Sequence, residues 1–310
     1  MPWPGVKSFI TFYQNNQPSN PSIGDTWYSP SADELKVWDG NSWELVVRDV
    51  VLPPGPSQLG IHGYSMGGYT GVRRSIIDRI TFPFNSGTAS HVGNLSGTRY
   101  RLAGCNSSQY GFSMGGYSDI YLSAIDRFEF PFDSGTASHV GNLSGTRYAL
   151  AGCNSSQHGF SIAGLGGSIV STIDRITFPF NLGTATYVGN LIGARYSPAG
   201  CNSSQHGFSM GGYGGGNYMS TIDRITFPFN SGIASHVGNL TGTRKDLAGC
   251  NSSQHGFSMA GESSVSVILS TIDRFDFPFD SGIASHVGNL SGSRKFLAGC
   301  DNTDFVTMFV

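Results

Sequence analysis

Arg195-Tyr-Ser-Pro-Ala-Gly-Cys201-Asn-Ser-Ser-Gln-His206-Gly-Phe-Ser-Met-Gly-Gly212 opens a unit that this chain writes again and again. Its Ala-Gly-Cys marker recurs with cysteines at Cys105, Cys153, Cys201, Cys250 and Cys300, and an Ile-Asp-Arg marker places aspartates at Asp78, Asp126, Asp174, Asp223 and Asp273. Both series advance by 48, 48, 49 and 50 residues. A period of that size denotes a stacked or circular array of one supersecondary unit, which cannot bury its apolar face without neighbours.

Working outward from the quoted stretch gives four short strands. Strand a spans Arg195 to Cys201 and ends in an Asn-Ser-Ser turn. Strand b spans His206 to Gly212, closed by a diglycine that permits positive φ or close backbone approach. Strand c, Ser220 to Phe229, sets Ile222, Arg224, Thr226 and Pro228 on one face and Asp223, Ile225, Phe227 and Phe229 on the other. Asn230-Ser-Gly232 turns the chain into strand d, Ile233 to Leu240. Four strands between Gly-rich turns predict an all-β fold and fit a propeller blade. A solenoid is the competing architecture, but its repeats are usually shorter and need distinct caps.

Strand b occurs six times, from His62-Gly-Tyr-Ser-Met-Gly-Gly68 to the tail Asp304-Phe-Val-Thr-Met-Phe-Val310, whereas a, c and d occur five times. The count predicts five blades, with the two chain ends sharing one of them. A sixth blade completed from residues before Leu59 is the alternative. The diglycine and the period resemble kelch-type repeats, although Phe-Pro-Phe stands where that family places tyrosine and tryptophan. The resemblance implies a kelch-like β-propeller over residues 59–310.

Composition narrows the function classes. Gly contributes 44 of 310 residues and charged residues only 12%, against a usual quarter or so for charged types. A net charge of −2 without a Lys/Arg run leaves no electrostatic footprint for nucleic acid or an anionic membrane. The N-terminus shows no basic region followed by an apolar core, and no apolar run nears the roughly 18 residues of a membrane span. One cysteine per repeat is no disulfide framework, since equivalent positions point the same way. No CxxC or CxxH spacing supports metal binding either. A small buried residue in a tight position is expected. No cofactor is expected, and assembly in a reducing cytoplasm is.

The copies can be compared with one another. From the repeated aspartate to the next cysteine is 27 residues in every copy, whereas from the diglycine to the aspartate is 10, 10, 10, 11 and 12. Length variation is thus confined to the b–c connection. In an up-and-down blade this connection shares a face with the d–a segment, which also varies: Tyr100-Arg101, Tyr148-Ala149, Tyr196-Ser197, Lys245-Asp246, Lys295-Phe296. The opposite face, built from Asn-Ser-Ser and Asn/Asp-Ser-Gly turns, is nearly constant. Diverse loops on a rigid scaffold are where binding sites sit, and apolar loop tips suggest a contact surface. The candidate ligand-binding residues are therefore Tyr69, Arg73, Arg74, Tyr117, Tyr121, Tyr213, Asn217, Tyr218 and Glu262.

Repetition also argues against catalysis, which needs one asymmetric constellation. The Asp-Arg pairs are expected to tie strands or blades through ion pairs. His91, His139, His236 and His286 share a position with Tyr187, and His62, His158, His206 and His255 share another with Tyr110. A metal ligand would not be replaced by tyrosine, so packing or hydrogen bonding is the expected role. The Asn-Ser-Ser tripeptides match a glycosylation sequon but read as turn chemistry. The unrepeated acids Asp119, Asp246 and Glu262 form no obvious pair of the kind a glycosidase needs. No enzyme is predicted.

Residues 1–50 differ in character. Gly24-Asp-Thr-Trp27-Tyr precedes Trp38-Asp-Gly-Asn-Ser-Trp43, with Asp39-Gly-Asn41 as a hairpin signal and three tryptophans supplying a small core. Residues 51–58, Val-Leu-Pro-Pro-Gly-Pro-Ser-Gln, read as a stiff linker. The Gly-Asp-x-Trp-Tyr … Trp-Asp-Gly-x-x-Trp pattern resembles small modules of tailed-bacteriophage tail and fibre proteins. The array, with Gly93-Asn-Leu95 to Arg99 and Ala103-Gly-Cys105, resembles the Gly-rich arrays of the same virion proteins. The resemblance implies a virion tail, baseplate or fibre component made in the host cytoplasm and present in multiple copies. It would dock to other tail proteins through residues 1–50 and present the array to a host-surface glycan or receptor. A bacterial carbohydrate-binding or adhesion propeller, or a purely structural virion part, is the alternative.

Overall fold

The computed structural model describes residues 12–13, 16–29, 34–48, 62–264, 266–299 and 307–309. The chain divides into two compact units, Met1–Ser57 and Gln58–Val310. The linker expected over residues 51–58 lies outside the described residues. Every regular element among the described residues is a strand.

In the first unit, Phe12–Tyr13 pairs in parallel with Thr26–Ser29, which runs antiparallel to Glu34–Trp38, itself antiparallel to Trp43–Arg48. The hairpin turn forms as the Asp-Gly-Asn signal predicts. The Asp39 carboxylate accepts from the amides of Asn41 and Ser42 at 2.7 Å each, and Gly40 takes φ 106°. Trp43 lies 5.6 Å from both Trp27 and Trp38, ring centre to ring centre, which supplies the small aromatic core.

Among its described residues the second unit holds five four-stranded sheets, one per repeat. Sheet 2 is Ala103–Asn106, Tyr110–Met114, Ala124–Glu129 and Ser138–Asn142; sheet 3 is Ala151–Asn154, His158–Gly166, Ser168–Thr177 and Thr186–Asn190. Sheet 4 is Ala199–Asn202, His206–Met210, Thr221–Thr226 and Ser235–Asn239; sheet 5 is Ala248–Asn251, His255–Ser264, Val267–Asp276 and Ser285–Asn289. In these four sheets a, b, c and d pair antiparallel in sequence order. Sheet 1 has b, c and d as His62–Met66, Ile76–Thr81 and Ser90–Asn94, and its first place is taken by Thr307–Phe309, paired in parallel with His62–Met66. The two ends of the array therefore share a sheet, but the tail, which reads as a sixth strand b, stands in the place of strand a and runs parallel to its neighbour.

Strand c ends earlier than its sequence suggests, before Phe-Pro-Phe. In sheets 2 to 5 the first Phe of this segment stacks on the strand-b aromatic of the preceding sheet. Phe130 lies on Tyr64, Phe178 on Phe112, Phe227 on Phe160 and Phe277 on Phe208, at 5.3 to 5.4 Å. The apolar clusters accordingly lie between sheets: Tyr64, Met66 and Ile77 of one pack with Phe128, Phe132 and Ala137 of the next. That is why one repeat could not fold alone.

The constant tripeptide Ala-Gly-Cys has a steric cause. Neighbouring a strands approach so closely that a Cβ on Gly152 would sit 2.0 Å from the Gly104 carbonyl oxygen, and one on Gly200 2.2 Å from that of Gly152. The cysteine faces the strand-b glycine of the following sheet: a Cβ on Gly159 would lie 2.5 Å from the Cys105 sulfur. Burial raises the Cys105 thiol pKa and pushes that of Cys153 up to about 12, so both are packing residues rather than nucleophiles.

The Asp-Arg markers do not pair with each other, because successive strand residues face opposite sides. The aspartate pairs with the arginine of the preceding d–a segment: Arg99 with Asp126, Arg147 with Asp174 at 2.7 Å, Arg195 with Asp223, and Arg244 with Asp273. These are buried pairs. A bulge recurs at this aspartate in every c–d pairing, between Ile173 and Asp174 for example. Desolvation lifts the Asp223 pKa and lowers that of Arg195, each opposed by the partner charge. The marker arginine reaches the c–d turn of the next sheet, Arg79 to Asp133, Arg127 to Asn181, Arg175 to Asn230 and Arg224 to Asp280.

Four junctions between consecutive sheets carry this set of contacts. In sheets 5 and 1 the equivalent residues hold local partners instead. Arg294 bonds the Gly292 carbonyl and the Ser291 hydroxyl, Asp78 faces His91 at 3.5 Å, and Arg274 faces Asp276 at 3.5 Å.

Candidate binding face

The b–c connections all form hairpins. In sheets 3 and 5 strands b and c simply lengthen; in sheets 2 and 4 the loop makes its own ribbon, Tyr117–Ser118 with Ile120–Tyr121 and Tyr213–Gly214 with Asn217–Tyr218. The diglycine directs the exit: Gly115 and Gly211 take φ of 63° and 62°, and where alanine replaces the first glycine, Ala163 and Ala260 keep the same left-handed turn at 62° and 56°. The first loop residue then meets the residue after the d–a arginine, as Tyr100 with Tyr117, Tyr148 with Leu165, Tyr196 with Tyr213 and Lys245 with Glu262. The two variable segments therefore share one face.

On that face the aromatic side chains pack on one another. Tyr69 is exposed and leans on Tyr100 at 5.3 Å. Tyr117 touches Tyr100 and Tyr148, and Tyr121 stacks on Tyr148 at 5.4 Å with the planes 10° apart. Tyr213 contacts Tyr196 at 5.5 Å and Tyr218 at 5.2 Å, and the Lys245 ammonium lies 5.2 to 5.5 Å from all three rings. The result is a tyrosine band with cations laid over it.

The charged candidates serve mainly to tie loops together. Arg73 donates to Asp119 at 2.9 Å, joining the loops of sheets 1 and 2, and lies over the Tyr117 ring. Arg74 donates to the Thr70 hydroxyl at 2.8 Å, and Asn217 to the Gly215 carbonyl at 3.1 Å; both remain exposed. Glu262 is buried: it accepts from the Tyr218 hydroxyl at 3.0 Å and from Lys295 at 2.5 Å. The Lys295 hydrogen bond holds the Glu262 carboxyl below its ordinary range. Desolvation, reinforced by the Glu262 carboxylate, pushes Tyr218 up to about 12.

Five residues that the candidate set omits converge where the a strands meet. Arg101, Ala149, Ser197, Asp246 and Phe296, each following a d–a segment's Arg-Tyr or Arg-Lys, all adopt left-handed φ between 53° and 58°. They form a backbone chain, with Ala149 N–H donating to Arg101 O, Ser197 to Ala149, Asp246 to Ser197 and Phe296 to Asp246. They line a pocket of about 430 Å³ at the variable end. The sequence signal was their variability beside a constant arginine; their shared location was not visible in a 48-residue spacing.

The other end is constant and internally satisfied. Asn106, Asn154 and Asn202 each donate a backbone N–H to the side chain of the next such asparagine, Asn154, Asn202 and Asn251, at 3.1 to 3.4 Å. Ser107 accepts from the amides of Gln109 and Tyr110, confirming turn chemistry in the Asn-Ser-Ser motif. The repeated histidines sit 3.5 to 3.9 Å from the repeated aspartates, and in the third copy Tyr187 bonds Asn190 instead. Among the described residues no three His, Cys, Asp or Glu side chains cluster as a metal site would require. No protein-family model and no curated protein matches this chain.

Proposed function

We propose that residues 59–310 form a kelch-like β-propeller of five blades and that the chain is a tail, baseplate or fibre component of a tailed bacteriophage. Its residues 1–50 dock to other tail proteins, and its variable face attaches to a host-surface glycan. The observation that carries the binding reading is the contrast between the two faces. One repeats Asn-Ser-Ser with its polar groups paired; the other displays a different side-chain set in each copy, rich in tyrosine beside lysine and arginine. Aromatic faces flanked by polar groups suit sugar rings, which offer an apolar C–H face and a rim of hydroxyls. The virion assignment rests on the resemblance of the Trp-rich module and the Gly-rich array to tail proteins.

For the blade number, a second reading of six blades is favoured by one observation: among the described residues, Arg294, Asp78 and Arg274 lack the cross-sheet partners that their counterparts hold at four junctions. An axial view of the particle-bound protein by electron microscopy counts the blades directly. Glycan-array binding of the whole chain, compared with Tyr121→Ala and Tyr218→Ala, tests the face. Binding reduced at least tenfold by either variant supports attachment through it. Undiminished binding removes this face as the site, and no binding to any glycan leaves a structural part.

A further inference from the structure

The axial pocket contains an unfinished polar arrangement. Asp246 is buried, with 3% of its side chain exposed, yet among the described residues neither carboxylate oxygen receives a hydrogen bond. Its nearest cations stand off, Arg101 at 3.7 Å and Lys245 at 4.0 Å. The Arg101 guanidinium likewise makes no hydrogen bond among the described residues; it is held by aromatic faces, 4.5 Å from the Phe296 ring centre and 5.7 Å from that of Tyr148. The Asp246 carboxylate therefore faces the pocket rather than a protein donor, and a ligand hydroxyl placed there can bridge it to Arg101.

We infer that this pocket is the primary subsite for a neutral terminal sugar residue, whose vicinal hydroxyls bridge Asp246 and Arg101 while its ring lies against Phe296. The inference rests on the glycan-binding reading above and names its site and ligand class. Three features specify the ligand. The carboxylate needs donors and the guanidinium needs acceptors less than 4 Å away, which a vicinal diol supplies together. Three cations stand at the mouth against two carboxylates, but Lys295 is bonded to Glu262 and Lys245 lies over three tyrosine rings. Inside the pocket the buried Asp246 carboxylate repels an anion and accepts from a hydroxyl, so a neutral ligand fits better than an acidic one. The volume of about 430 Å³ lies within the roughly 300–1,000 Å³ typical of small-ligand pockets. The five positions share one backbone conformation, yet carry Arg, Ala, Ser, Asp and Phe; the scaffold is kept and the side chains differ.

The test uses the full chain and saturation-transfer NMR with methyl glycosides of glucose, galactose, mannose and N-acetylglucosamine, and with methyl galacturonide as the acidic comparison. Two variants address the pocket. Asp246→Asn keeps the shape and removes the charge. Ala149→Phe fills the space at a buried position whose equivalent, Phe296, holds the larger side chain in the same backbone conformation, and an unchanged melting temperature verifies that folding is retained. The inference predicts that a neutral glycoside binds, that Asp246→Asn weakens it at least tenfold and that Ala149→Phe abolishes it. Retained affinity in both, with loss in Tyr121→Ala or Tyr218→Ala, overturns the axial subsite and leaves the loop-face reading standing. Binding of the uronide alone overturns the neutral class. Binding of no glycoside, together with a blank glycan array, overturns both readings.

Discussion

At the level of single residues, the constant positions of the repeat are set by contact distances and the variable ones by what lies in front of them. Gly152 is fixed because the neighbouring carbonyl leaves no room for a methyl group. Gly152→Ala is expected to cost about 1–3 kcal/mol or more, the usual range for overpacking. Gly145→Ala, where a Cβ would meet nothing within 4 Å, should change stability by no more than about 0.5 kcal/mol. Denaturant melts of the two variants check this, and equal effects would refute the close approach of the a strands. Tyr218 carries a pH signature. Its folded pKa of about 12 lies above the ordinary 10.0, so the protonated phenol is the form that folding favours. Its contribution to stability is whole below pH 10.0, declines as pH rises toward about 12, and is gone above it. The phenolate absorbance difference between the native chain and Tyr218→Phe should titrate near 12; a midpoint near 10.0 would show that the Glu262 contact does not persist.

At the level of strands and sheets, the buried Arg–Asp pairs lock each sheet to the next. Asp174→Asn leaves Arg147, with 3% of its side chain exposed, as an uncompensated buried cation and should cost about 3–5 kcal/mol. Among the described residues Asp78 has no such arginine, and its side chain is 39% exposed, so Asp78→Asn is expected to be nearly neutral. Thermal melts of both variants decide the matter, and equal losses would mean the pairs are not what holds the junctions. Here the limits of the sequence are instructive. The four strands, the turns between them and the left-handed diglycine were readable because each is a local pattern of period two or of glycine. The partner of Asp174 was not, since it is Arg147 in the preceding segment rather than the adjacent Arg175. The Phe-Pro-Phe segment reads as strand but leaves the sheet to stack on its neighbour. Glu262 reads as an exposed loop acid but is engaged by Tyr218 and Lys295. Each of these depends on a neighbouring sheet, and spacing alone carries no distance between sheets.

For the whole molecule, the sheets of the second unit, joined one to the next through aromatic and ionic contacts, present two unlike ends. One end is uniform and its asparagines satisfy one another. At the other, loops and axial residues differ from copy to copy while their backbones remain alike. The proposed recognition face is the variable end, and Arg101, Ala149, Ser197, Asp246 and Phe296 lie at the same end as the variable loops. The most direct test is backbone chemical-shift mapping of the isotopically labelled full chain during titration with envelope glycan purified from the host bacterium. The account predicts shifts confined to the b–c hairpins and to Arg101, Ala149, Ser197, Asp246 and Phe296. Shifts centred on the Asn-Ser-Ser turns, or no shifts at saturating glycan, would contradict it.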